Sequence, residues 1–162
     1  AQELSASLAG DNRLIHDVQA KDFNIDHVVI TPAGIFAVET KSRLKPPSGL
    51  SSEKAKVRYN GKQLDFPGWT ETKPIDQAAR QAKWLSDYLK QSTGESFPVF
   101  AILALPGWWV ETSGRITDDM VRVINPKKCQ WLLLPEKQAP RLDSAAIQRA
   151  AFQIEKLAKA EE

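Results

Sequence analysis

Residues 24–41 read NIDHVVITPAGIFAVETK, and the fold turns on how this stretch is paired. Ile25 to Ile30 and Ile35 to Val38 are dense in β-branched residues, the composition of half-buried strands. Between them stands Thr31-Pro32-Ala33-Gly34. Proline pre-sets φ at the second position of a type I turn and glycine relieves the exit, so the stretch predicts a β-hairpin. Three ionisable residues interrupt this apolar hairpin: Asp26, Glu39 and Lys41. Strand side chains alternate faces, so Glu39 and Lys41 point the same way. An even-membered turn sets Ile30 opposite Ile35 and Asp26 opposite Glu39, with Cβ atoms about 5 Å apart, where like charges repel. A divalent cation between the two carboxylates would remove that repulsion. A three-residue loop with a bulge at Gly34 would instead put them on opposite faces.

Working outward, Arg13 to Val18 reads as a strand before the hairpin, and residues 2–9 read as a helix that stops at Gly10. Downstream, Ser42 to Ser52 is a Pro- and Gly-containing loop. Lys56 to Phe66 is a second hairpin around Asn60-Gly61, and Pro67 to Lys73 is a loop carrying Trp69. Pro74 opens a helix that ends near Gly94, with an apolar stripe at Ile75, Ala78, Ala79, Ala82, Leu85 and Leu89. Phe97 to Leu105 is almost continuously apolar and reads as a central buried strand. Met120 to Ile124 reads as a short strand, Cys129 to Leu134 as a last strand or buried segment, and Pro135 to Pro140 as a linker. Asp143 or Ser144 caps a final helix. The order predicts an α/β fold, one domain over residues 1–162, with a sheet covered by helices.

The 162 residues are 42% hydrophobic and 26% charged, the balance of an ordinary globular domain long enough for a real core. A net charge of +2 creates no strong overall field, so any nucleic-acid affinity must come from local clusters of Lys and Arg. One cysteine, Cys129, excludes an internal disulfide and points to a reducing, cytoplasmic setting. One Cys and two His are too few for a structural zinc site, which leaves oxygen ligands for a hard cation. No apolar run approaches the roughly 18 residues of a membrane span.

Asp26, thirteen residues before Glu39-Thr40-Lys41, resembles the PD-(D/E)xK signature of restriction-endonuclease-like nucleases. The wider run FNIDHVVITPAGIFAVETKSR, preceded by HDV and followed by a Gln-bearing helix after Pro74, resembles the NERD (nuclease-related) domain over roughly residues 1–105. The signature's proline is absent, with Ile25 in its place. The resemblance implies a central mixed β-sheet flanked by helices and a Mg²⁺- or Mn²⁺-dependent site acting on DNA. It implies metal-binding roles for Asp26, Glu39 and the backbone carbonyl of Thr40. It implies that Lys41 orients or activates the attacking water, and that Gln77 belongs to the site. Such domains usually carry a glycine–glutamate pair in the first helix, where Glu3 is the only acid here.

The same residues have plainer readings. Asp26, Glu39 and Lys41 can form a cross-strand salt bridge on a solvated face. His27 is expected to be a packed histidine and His16 an ion-pair partner of Asp17. Gln77 and Gln81, at i and i+4, either reach a phosphate or edge an amphipathic helix. Arg43, Lys45, Lys56, Arg58 and Lys62 form a basic stretch that either tracks a nucleic-acid backbone or is simply solvated. Three functions therefore stay open: a metal-dependent deoxyribonuclease, a non-cutting nucleic-acid-binding module, and a structural or interaction domain.

Overall fold

The computed structural model describes residues 12–44, 55–128 and 139–158. The predicted first helix with Glu3, most of the loop from Ser42 to Ser52 with Lys45, the segment from Cys129 to Leu134 and most of the following linker lie outside the described residues.

Strands β1 (Arg13–Gln19), β2 (Asn24–Thr31) and β3 (Gly34–Thr40) form an antiparallel meander. The β2–β3 turn is even-membered: Ile30 stands opposite Ile35 and Thr31 opposite Gly34. The Thr31 hydroxyl oxygen accepts from the Ala33 N–H, and the Arg141 and Leu142 N–H groups both donate to the Pro32 carbonyl. The turn is thereby tied to the chain just ahead of the last helix. Gly34 has φ +144°, and a Cβ there would lie 2.6 Å from Phe100 Cε2. That ring has little freedom to yield, since Phe36 stacks on it at 5.5 Å and the guanidinium groups of Arg122 and Arg141 also lie over it. Gly34→Ala is expected to cost about 2 kcal/mol or more and to lower the melting temperature by about 4–8 °C, read by calorimetry.

The second hairpin forms where its Asn-Gly turn predicts, from β4 (Lys56–Tyr59) and β5 (Leu64–Phe66). The supposed loop from Pro67 to Lys73 instead holds a short strand, β6 (Trp69–Glu71), antiparallel to β5. Pro67-Gly68, with Gly68 at φ +94°, turns the chain back, and Phe66 and Trp69 stack at 4.7 Å across it. Helix α1 (Lys73–Thr93) follows, with proline in its first turn and a left-handed Gly94 as its C-cap. It is the crossover to β7 (Val99–Ala104), which lies parallel to β3 in the register Ile35↔Val99 to Thr40↔Ala104. Strand β8 (Trp109–Thr112) leaves the main sheet and pairs parallel with β4, while β9 (Arg122–Ile124) returns to β7. Helix α2 (Ser144–Glu155) is capped by Asp143, whose carboxylate accepts the Ala146 N–H at 2.8 Å.

Two sheets result: β1-β2-β3-β7-β9, mixed, and β6-β5-β4-β8. One apolar cluster joins both sheets and both helices, through Val28, Ile35, Leu103, Tyr59, Trp108, Leu85 and Ile147. Val29, Phe36, Val38, Phe100 and Ile102 form a smaller cluster on the other face of the five-stranded sheet. Alternation fails once in β1 and β2. Ile15 and Val18 both enter the larger cluster, as do Ile25 and Val28, although three residues separate each pair. Asp17 lies in this break at φ +50°, a conformation that aspartate tolerates better than most residues. His16 and His27 face each other across the two strands, their rings edge-on at 4.9 Å. Burial, and then the neighbouring His16, lower the pKa of His27, which favours a neutral, packed imidazole.

Candidate nuclease-type site

β3 carries an apolar run, Ile35 to Val38, and then ends in Glu39-Thr40. The parallel ladder continues one step further, since the Lys41 N–H donates to the Ala104 carbonyl at 3.0 Å. Backbone pairing therefore fixes Glu39, Thr40 and Lys41 at the C-terminal edge of the sheet. Glu39 shares the face of Ile35 and Ala37, the side on which α1 packs.

Glu39 is only 7% exposed, and a buried carboxylate needs partners. It has two. Its Oε1 lies 3.2 Å from Lys41 Nζ, and its Oε2 accepts from Gln81 Nε2 at 2.8 Å. Asp26 is tied to the same strand end, with Oδ2 accepting the Thr40 N–H at 2.9 Å. This contact fixes the Thr40 peptide and leaves Oδ1 for another partner. Gln81 Oε1 is buried and has no hydrogen-bond partner. Glu39, Lys41, Gln77, Arg80 and Gln81 line an open cleft of about 510 Å³, which Asp22, Phe23 and Asn24 at the start of β2 close on one side.

The two glutamines, which share the same two readings in the sequence, stand in different surroundings. The buried stripe of α1 runs through Ile75, Ala78, Gln81, Ala82, Leu85 and Leu89, and Ala79 is exposed. Gln81 therefore faces Glu39 and not solvent, while Gln77 is half-buried on the cleft wall. The signal was available: Gln81 is a polar residue three positions after Ala78 and four before Leu85, at the spacing of the apolar stripe. Arg80 was missed. It lies three residues after Gln77, hence on the same helix face.

Two residues of the basic stretch, Arg43 and Lys56, are ion-paired, and Arg58 and Lys62 are exposed with no ion pair among the described residues. Arg43 makes a two-pronged pair with Glu71, through Nε at 2.8 Å and an η-nitrogen at 2.9 Å. Lys56 pairs with Glu111 at 3.1 Å, and Arg58 stands across from Asp65 on one side and Glu111 on the other. Lys62 is exposed at the Asn60-Gly61 turn. The hydrogen bond from Arg43 holds the Glu71 carboxyl below its usual pKa. A lowered native pKa gives stability that is present above about pH 4.5 and lost as pH falls through the lowered value. Glu71→Gln is expected to cost about 1 kcal/mol or less at neutral pH and to flatten the acid limb of urea-midpoint curves.

A buried glutamate beside a lysine two residues on, at the exit of a strand preceded by an aspartate-bearing partner, is the arrangement implied by the family pattern. Residues 1–106 match the NERD family, the nuclease-related domain. This chain belongs to the NERD family. No curated protein and no solved structure matches it. The mixed five-stranded sheet with helices packed on it is the α/β, restriction-endonuclease-like core of such domains. Among the described residues, no helix of this NERD domain is long and apolar enough to cross a membrane.

The oxygen-rich donor set suits a hard cation. Asp26 and Glu39 are carboxylates, the Thr40 carbonyl lies between Glu39 and Lys41 in the chain, and Gln81 Oε1 is an orphaned acceptor beside them. Among the described residues no three His, Cys, Asp or Glu side chains cluster as a metal site. Two carboxylates nevertheless fit Mg²⁺, which keeps several waters and commonly takes one or two carboxylates plus substrate phosphates.

Proposed function

We propose that this NERD domain hydrolyses DNA phosphodiester bonds with Mg²⁺ or Mn²⁺, as a cytoplasmic DNA-processing activity. The observation that carries the reading is the buried Glu39 held between Lys41 and Gln81 at the edge of an open cleft. Asp26, Glu39 and the Thr40 carbonyl would hold the ion. Bound there, it supplies polarisation of a phosphoryl oxygen and a more acidic water. The remaining work falls to the chain. Gln81 and Lys41 hold the Glu39 carboxylate in one orientation, and Asp26 fixes the peptide of Thr40. Lys41 places a positive charge beside the oxygens of the pentacoordinate transition state, where negative charge builds. Gln77 offers an amide to a phosphate oxygen or to the attacking water. Water forms the new P–O bond and gives up a proton to solvent, the bond to the leaving alkoxide breaks, and that alkoxide takes a proton from solvent.

One observation favours a second reading, a domain that binds DNA without cutting it. Both Glu39 oxygens already have protein partners, and Asp26 spends one oxygen on Thr40. The experiment is incubation of supercoiled and linear DNA with the protein in Mg²⁺ or Mn²⁺, beside Asp26→Ala and Lys41→Ala. Metal-dependent cutting that both variants lose supports the nuclease. Binding with no cutting supports the second reading, and no binding at low salt sinks both.

A further inference from the structure

Of the basic residues named from the sequence, Arg43 pairs with Glu71 and Lys56 with Glu111, while Arg58 and Lys62 on the second hairpin are exposed without an ion pair among the described residues but do not line the Glu39 cleft. The start of α1 differs in that it borders this cleft. Lys73 and Arg80 are exposed and have neither an ion pair nor a hydrogen bond among the described residues. With Gln77 they stand at i, i+4 and i+7, one face of the helix, about 10 Å from end to end. Gln77 and Arg80 open directly into the cleft beside Glu39 and Lys41. Lys41 is committed to Glu39 at 3.2 Å, so Arg80 is the cleft's uncommitted cation. Its planar guanidinium suits a phosphodiester, which presents two non-bridging oxygens for paired hydrogen bonds.

We propose that the Lys73–Gln77–Arg80 face of α1 is the surface that carries the DNA backbone into the cleft, with Arg80 gripping a phosphate at its mouth. This rests on the nuclease reading and specifies its substrate path: along the helix, not along the β4–β5 hairpin. Arg80 contacts bound DNA, and Lys73 contributes charge further out. Both side chains are exposed, so their replacement leaves the fold intact.

The test is a fluorescence-anisotropy titration of a labelled short DNA duplex with the full chain in Ca²⁺, repeated across a KCl series. Arg80→Ala and Lys73→Ala are each expected to make the slope of log K against log[KCl] shallower by about 1. Arg80→Ala should also weaken binding severalfold, and Arg80→Lys should restore the slope but not the full affinity. Arg58→Ala, the exposed and unpaired arginine of the rival hairpin surface, is expected to move the slope far less. An unchanged slope in Arg80→Ala, or a loss carried by Arg58→Ala instead, overturns the proposal. Cutting assays separate it from the reading beneath it. A wild type that cuts while ignoring Arg80 defeats this surface alone. A wild type that binds through Arg80 yet never cuts upholds the surface and defeats the hydrolase. A wild type that neither binds nor cuts defeats both.

Discussion

Glu39→Gln is expected to lower metal-dependent DNA cleavage by at least about a thousandfold while leaving the fold intact. The substitution keeps the shape and removes the charge. Gln81 can still hydrogen-bond the new amide oxygen, and Lys41, with a side chain 28% exposed, is resolvated by water. A hard cation loses one of two carboxylates, and the charge-stabilising arrangement that Lys41 completes is lost with it. Gln81→Leu provides the contrast. Gln81 hydrogen-bonds the Glu39 carboxylate, so the expected cost is in metal affinity, about 10–100-fold, the usual effect of removing a partner that orients a ligand. Raising Mg²⁺ should restore much of the Gln81→Leu rate and little of the Glu39→Gln rate. Cleavage rates over a Mg²⁺ series, with thermal melts of each variant, make the comparison. Equal rescue of both variants would remove Glu39 from the site.

Trp108→Ala is expected to destabilise the domain by about 3–5 kcal/mol and to lower its melting temperature by about 10 °C. Trp108 is fully buried. Its ring meets Phe66 edge-on at 4.9 Å and Trp69 at 6.3 Å, which locks the β5–β6 turn. Its indole N–H donates to the Arg43 carbonyl at 3.2 Å, and its own carbonyl accepts from Asn125 at 3.0 Å. The residue thus joins the chain just beyond Lys41 to the second sheet and to the exit of β9. Trp108→Phe retains most of the packing and leaves the Arg43 carbonyl without this donor, for a smaller loss of about 1–3 kcal/mol. Urea unfolding of the two variants separates packing from the hydrogen bond.

Much of the site was readable because it is local. The β-branched runs of Ile25 to Ile30 and Ile35 to Val38 and the Thr-Pro-Ala-Gly turn predict a hairpin, and of the two turns they leave open the structure has the even-membered one, with Ile30 opposite Ile35. That register places Glu39 at the strand exit, with Lys41 two residues on and Asp26 close enough to bond Thr40. The Asn60-Gly61 hairpin and the α1 boundaries at Pro74 and Gly94 were equally local. The short strand Trp69–Glu71 was not. Three residues carry too little periodicity to announce a strand, and this one is held by the stacking of Trp69 on Phe66.

The sequence alone determined the hairpin, the Glu39/Lys41 face and the family, because backbone sterics and period-two alternation act over a few neighbouring residues, while it left the turn open between an even-membered one and a three-residue loop. Only the tertiary structure decided which glutamine reaches Glu39 and which cations line the cleft. Gln81 and Glu39 are separated by 42 residues, and the phase of α1 against β3 follows from how the whole crossover packs its apolar stripe. Arg43 and Glu71 are 28 residues apart and Lys56 meets Glu111 from another strand, so these two members of the basic run are taken up in ion pairs only when the chain is folded. Charge counted along a sequence ignores the acids that folding brings beside it. For that reason the unpaired cation that lines the Glu39 cleft of this NERD domain is Arg80 on α1, and none of the hairpin's cations lines that cleft.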